Sequence, residues 1–359
     1  MRAAVCRTFG QPLTIEELHI SDPGHGEVKV KLTACAICHS DITLATGGWG
    51  GDLPAVYGHE AAGIVVSVGP GVTGLQSGDH VVVTLIRSCG HCHFCTQAIE
   101  TQCDNNFNLD QQSPLSDKKG QTIVQGLNSG AFAEQVVVEQ SQVCAIPRDI
   151  PLDVACILAC GVLTGFGAVT NTVTIKPAST VAIVGCGGVG INSIQGAVHS
   201  GAARIIALDL LDEKLTLAHQ FGATHSVNSG RPNCVEQVLA LTDGRGVDYV
   251  FVTVGVKAAI EQSLSLLAKS GTAVIVGMPA SGVLAEFDPA ALAANGQSLI
   301  GSKMGSASVK RDIPKLAALY QSGDLRLDEL ISKRYVLDEI NEAIASVKRG
   351  EALRNVVIF

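Results

Sequence analysis

Four cysteines crowd one short stretch, Cys89-x2-Cys92-x2-Cys95-x7-Cys103. Thiolates at such spacings close a tetrahedral metal site with no position left for substrate, so a structural zinc is the expected chemistry. His91 and His93 interleave with them as spare donors. A DNA-binding zinc ribbon is the rival reading, but the formal net charge is −8 and no basic patch is present to meet a phosphate backbone. A second set of donors is dispersed: Cys38 in Cys-His-Ser-Asp41, His59 in Gly-His-Glu60, and Cys160 in Ala-Cys-Gly161. Spacing alone does not unite these residues. Taken singly, Cys35 and Cys38 also fit a redox C-x-x-C pair, and His59 an ordinary buried histidine.

Gly185-Cys-Gly-Gly-Val-Gly190 follows the apolar run Val181–Val184 and opens a helix-like segment. It fits G-x-G-x-x-G, the loop that seats a dinucleotide pyrophosphate at a helix N-terminus. Gly185 permits the turn, Gly187 lets backbone approach the phosphates, and Gly190 allows helix to pack on strand, with Gly188 and Val189 completing the loop. The bland alternative is a tight turn with no ligand. Asp209 argues against it, closing the next strand about 20 residues on, where a carboxylate accepts from a ribose hydroxyl. That carboxylate would repel a 2′-phosphate, so NAD is expected rather than NADP. Lys214 either holds a ribose hydroxyl or is a solvated surface lysine.

The elements that must position these residues differ along the chain. Val28–Leu32, Ala61–Val68, Asp79–Val83 and Phe132–Val138 alternate or run apolar between Gly/Pro punctuation, as strands of a β-rich unit do. From about Thr180, the short β-branched runs Val181–Val184, Arg204–Leu208, Asp248–Val252 and Thr272–Val276 alternate with helical segments such as Asp212–Phe221 and Lys257–Ala268. Strands buried on both faces and separated by helices predict a doubly wound parallel sheet. The pattern shifts again near Ile300, with helices expected around Ile313–Gln321 and Asp338–Arg349.

At 359 residues with 47% hydrophobic and 16% charged content, the chain suits two folded domains and excludes disorder. Only 4% is aromatic, which gives little for base stacking. The start lacks the apolar core of a signal peptide and no apolar run reaches membrane-spanning length, so a cytoplasmic enzyme is expected, without nucleic-acid or membrane partners. Twelve cysteines there point to metal ligation or packing rather than disulfides. Cys6, Cys35, Cys144, Cys156, Cys186 and Cys234 are expected in packed positions, with Cys35 and Cys186 close enough to the motifs for reactivity to be an option.

Taken together, Cys-His-Ser-Asp, Gly-His-Glu, the four-cysteine loop, Cys-Gly before Thr164-Gly-Phe-Gly167, the glycine fingerprint and the closing Arg354-Asn-Val-Val357 strongly resemble the zinc-dependent alcohol dehydrogenases of the medium-chain dehydrogenase/reductase family. The resemblance spans essentially the whole chain. It implies an α/β protein with a GroES-like β-rich catalytic domain (1–161 and 303–359) and an inserted Rossmann dinucleotide domain (162–302). It implies that Cys38, His59 and Cys160 bind a catalytic zinc, the second of two per chain, with Asp41 orienting His59, Glu60 able to approach the metal, and Ser40 taking the alcohol proton. His39, Thr164 and Arg354 would join the fingerprint, Asp209 and Lys214 in holding NAD.

One departure stands out. Many relatives carry a histidine three residues after the Ser40 position, where this chain has Thr43. The last proton step would then run through the cofactor ribose and water, with Thr43 at most a hydroxyl stepping stone. Trp49, Leu85 and Phe107 fall near substrate-channel positions of relatives and suggest an apolar primary or aromatic alcohol. A glutathione-adduct formaldehyde dehydrogenase and a polyol dehydrogenase are the alternatives within the family, and a catalytically silent scaffold is the alternative outside it. The length of the loop Asp104–Asn128 favours a homodimer over a homotetramer.

Overall fold

The structure is a computed structural model that describes all residues, Met1–Phe359. Its contacts divide the chain into two compact units, Met1–Gly161 with Ser308–Phe359, and Val162–Ala307. The expected return at 303 falls later than that, after Ala307. Ser302 and Ser306 hydroxyls both bond to Thr172 Oγ1, and Asn171 Nδ2 donates to the Gly305 carbonyl. Those bonds keep the segment with the second unit.

In the first unit the strand Glu27–Ala36 is the spine. It pairs antiparallel with Glu60–Val68, Gln135–Glu139 and Arg354–Ile358. The strand begins one residue before the expected run and continues past it, because Ala34, Cys35 and Ala36 are all fully buried. By contrast, the expected strand at Phe132 starts only at Gln135. Val356 and Val357 of the C-terminal strand are also fully buried. At about 1.5–3 kcal/mol for each buried side chain, that burial holds the chain's end in the sheet. The Arg2–Asp338 ion pair is exposed and screened by solvent, so it contributes little to closing the unit.

The second unit is a six-stranded parallel sheet. Its order is His225–Asn228, Arg204–Asp209, Thr180–Val184, Val247–Val252, Leu267–Ile275 and Ser298–Gly301. Every residue of Thr180–Val184 is buried, which is why the run shows no polar alternation. The helix expected to reach Ala268 ends at Leu266, since Leu267 is claimed by pairing with Val247 across a bulge. The expected C-terminal helices are Val309–Ser322 and Ile340–Lys348.

All twelve cysteines are free thiols. Cys35 and Cys186 are fully buried, and burial pushes both thiols well up. Neither is the exposed thiolate that reactivity requires, so that option falls. No single helix is long and apolar enough to cross a membrane.

Candidate active site

The short helix His39–Ala45 starts at Cys38, whose extended backbone (φ −109°, ψ 155°) makes it the cap residue. Asp41, in the first turn, turns back to accept the Cys38 amide on Oδ2 at 3.1 Å. Its Oδ1 accepts the Gly58 amide at 2.9 Å and the His59 Nδ1 hydrogen at 2.9 Å. Gly58 sits at φ +92°, and a Cβ there would lie 2.5 Å from the Phe132 amide nitrogen, so only glycine fits before His59. With Nδ1 donating, the neutral ring has its lone pair on Nε2, and Ser40 Oγ lies 3.4 Å from that atom.

Cys38, His59, Glu60 and Cys160 are all buried, and their ligand atoms lie within 4.8 Å of one another. Tetrahedral zinc with Zn–S bonds of about 2.3 Å sets its ligand atoms at this kind of separation, and two thiolates with one neutral imidazole suit it. A hydrogen bond shared with Cys160 lowers the Cys38 thiol well below its usual range and raises that of Cys160. Burial lowers the His59 imidazole, but Asp41 and Cys38 together raise it well above its ordinary value.

Glu60 opens the next strand and is fully buried. Burial pushes its carboxyl up to about 7 despite Arg354, whose Nη2 lies 3.4 Å from Oε1. Oε2 accepts the Gly161 amide at 3.3 Å. Arg354 presses against Gly161, where a Cβ would be 2.1 Å from Nη2. The residue expected at the pyrophosphate is thus buried beside Glu60, with Nε and Nη2 making no hydrogen bond. His39 is exposed, and Thr43 Oγ1 donates to the His39 carbonyl at 2.9 Å. The Thr43 hydroxyl hydrogen is therefore committed to backbone.

The four-cysteine lobe forms as a local turn. Cys89 and Cys95 sulfurs are 4.0 Å apart, and those of Cys92 and Cys103 3.9 Å. The amides of Cys89, His91, Cys92 and Cys95 point at these sulfurs from 3.3 to 3.5 Å, as donors to bound thiolates do. His91 and His93 are exposed and turn away, His91 to the Cys89 carbonyl and His93 to Gln97. Phe107 lies under the Arg87 guanidinium and lines a polar cavity of about 520 Å³ beside this lobe, a cavity that includes none of Cys38, His59 and Cys160. Leu85 and Trp49 are half-buried.

In the second unit, Gly185 turns the chain at φ +93°, a conformation that favours glycine. A Cβ on Gly190 would lie 1.7 Å from the Gly185 carbonyl, whereas one on Gly187 would meet nothing within 4 Å. That open side, at the N-terminus of the helix Gly188–His199, is the cradle a pyrophosphate fits. Asp209 accepts the Cys186 amide at 2.7 Å and the Leu211 amide at 3.1 Å, which ties the strand end to the glycine loop. Lys214 is half-buried in the next helix, Asp212–Gln220. Thr164 is buried, its hydroxyl 3.5 Å from Met304 Sδ. Sequence reasoning missed Thr253, whose hydroxyl donates to the Gly185 carbonyl at 2.8 Å and so holds the turn. The signal was a lone threonine at the end of a buried apolar strand.

A strand order of this kind, with a glycine loop at its switch point, is that of a dinucleotide-binding sheet, and the first unit carries a thiolate–imidazole cluster able to hold a metal ion. Residues 24–148 match the alcohol dehydrogenase GroES-like domain, and residues 188–322 match the zinc-binding dehydrogenase family. An NDMA-dependent alcohol dehydrogenase of Amycolatopsis methanolica is 35% identical over 99% of this chain and 98% of its own length. A probable S-(hydroxymethyl)glutathione dehydrogenase 1 of Schizosaccharomyces pombe is also 35% identical, over 99% and 96%. The crystal structure of benzyl alcohol dehydrogenase from Acinetobacter calcoaceticus superposes with a TM-score of 0.93 at 33% identity, covering 100% of this chain and 99% of that one. The chain belongs to the zinc-dependent alcohol dehydrogenases of the medium-chain dehydrogenase/reductase family.

Proposed function

We propose that this enzyme oxidises an apolar primary or aromatic alcohol with NAD, using one zinc at Cys38, His59 and Cys160 and a second, structural zinc at Cys89, Cys92, Cys95 and Cys103. The observation that carries it is the convergence of Cys38, His59 and Cys160, drawn from three distant segments, with Asp41 fixing the imidazole so that Nε2 faces the cluster. When bound, the zinc supplies a Lewis acid that eases loss of the alcohol proton, and the nicotinamide supplies the hydride acceptor. Ser40 Oγ, beside His59 Nε2, would relay that proton, accepting it as its own hydroxyl hydrogen passes on to water. Thr43 does not carry it onward, because its hydrogen is held by the His39 carbonyl. Asp209 selects NAD by occupying the place where a 2′-phosphate would need a cation.

The experiment is a panel of alcohols and aldehydes with NAD or NADP on zinc-quantified protein. Metal-stripped protein that still turned over at full rate would end the metal reading. A second substrate reading, the formaldehyde–glutathione adduct, is supported by equal identity to the S. pombe relative. It predicts formaldehyde oxidation only with glutathione present. A homodimer is the proposed assembly. Ser298–Gly301 is a sheet edge without charged residues, and Met278, Leu284 and Phe287 are exposed in the same unit, features that call for a partner. Sedimentation would separate dimer from tetramer. Twelve free thiols suit the reducing cytoplasm.

A further inference from the structure

Several bonds fasten the four-cysteine lobe to its unit, among them those of Ser88 to Ser141 and of Arg87 to Gln142, and two others lead to Cys160. At the N-terminal root, Thr84 follows the strand His80–Val83 and is fully buried. Its hydroxyl donates to the carbonyl of Ala159, the residue before Cys160, at 2.7 Å. Thr84 is itself held on both backbone sides by Gln142, through its amide at 3.0 Å and its carbonyl at 2.9 Å. At the C-terminal root, Glu100 opens the turn Glu100–Gln102, and its carbonyl accepts the Cys103 amide at 3.1 Å.

The Glu100 carboxylate reaches the start of the helix Val309–Ser322. Oε1 accepts the Ser308 hydroxyl at 2.7 Å and Oε2 the Val309 amide at 3.3 Å. Ser308 makes no capping bond of its own, so Glu100 serves an orphan amide and places charge at the positive helix end. This helix packs on the turn Cys156–Ala159, all four residues of which are buried and which runs directly into Cys160.

We propose that Thr84 and Glu100 are positioning residues: the four-cysteine lobe is a two-point brace that holds the Cys160 sulfur in register with Cys38 and His59. The inference rests on Cys160 being a metal ligand, as argued above. Neither residue belongs to either cluster of metal-ligand side chains or to the glycine loop. Each acts on the backbone that carries the ligand, Thr84 through a carbonyl and Glu100 through a packed helix. Ligand sites tolerate about 0.5 Å of misplacement, which one lost buried bond can produce.

The test loads cobalt(II) at the Cys38–His59–Cys160 cluster with zinc in the lobe, then compares the parent with Thr84→Val, Glu100→Gln and the double variant. The expected result is shifted cobalt–thiolate bands and release to a chelator roughly tenfold faster in each single variant, the scale set by outer partners of metal ligands. The double variant should be worse than either. Turnover should fall with KM for the alcohol unchanged, lobe zinc should stay at one per chain, and Thr84→Ser should restore the parent behaviour. The brace is overturned if the double variant shows faster hydrogen exchange at Val309–Asp312 yet keeps the parent's bands and release rate. A parent that takes up no cobalt at the cluster would instead remove the ligand assignment itself.

Discussion

His59 Nδ1 donates to Asp41 Oδ1 across 2.9 Å, with both side chains out of reach of solvent. The same carboxylate takes the amides of Cys38 and Gly58, so one side chain orients two of the three proposed ligands. Asp41→Asn would turn an NH2 group toward at least one of these donors. Metal affinity, followed by chelator competition, is expected to fall about 10- to 100-fold. An unchanged affinity would show that Asp41 only packs.

Thr43 gives a second contrast. A side chain acting as general acid or base contributes about 10²-fold or more, so Thr43→Ala is expected to keep turnover within about twofold if the hydroxyl is no relay. Thr43→His should raise the rate near neutral pH, where imidazole exchanges protons with solvent. A steep loss in Thr43→Ala would make the threonine an obligatory carrier.

Gly187 and Gly190 separate binding from folding. Gly187→Ala projects into open space and should leave thermal stability close to the parent while weakening NADH binding, read by fluorescence titration. Gly190→Ala drives a methyl into the Gly185 carbonyl and should cost at least about 1–3 kcal/mol of stability. Equal effects of both substitutions would count against the cradle.

Asp209 accepts two backbone amides besides its proposed ribose role. Asp209→Gly combined with Leu210→Arg, the latter at a position 67% exposed, should shift the ratio of kcat/KM toward NADP by about tenfold or more. It should also loosen the glycine loop. Unchanged discrimination would place ribose recognition elsewhere.

Asp248 ties the first strand of the parallel sheet to its neighbour by accepting the Thr180 amide at 2.7 Å. Burial raises its carboxyl, but the Arg245 bond and the Thr180 amide hold it below its usual range. A depressed folded pKa contributes stability above the unfolded value and loses it as pH falls through the folded one. Asp248→Asn should therefore cost about 0.5–1.5 kcal/mol at neutral pH, with the gap to the parent closing below about pH 4. Denaturant unfolding at both pH values checks this, and a gap constant with pH would rule out the ionised bond as its source.

Two sites were legible in the residues alone, for one physical reason. The cysteines between Cys89 and Cys103 and the glycines between Gly185 and Gly190 act within one loop, where spacing along the chain is nearly spacing in space. The parallel strands were visible because burial on both faces leaves no polar alternation.

Cys38, His59 and Cys160 had no such local signature, and only resemblance suggested grouping them. Tertiary structure unites the first two through register: Ala36 pairs with Glu60, so Cys38 lies just beyond one strand and His59 just before its partner. Cys160 arrives from the turn Cys156–Ala159 laid against both strands. The bonds from Thr84 to Ala159 and from Ser308 to Glu100, and the ion pair of Arg354 with Glu60, cross long stretches of chain. They exist because buried polar groups must find partners wherever packing delivers them, and only the folded core decides where that is.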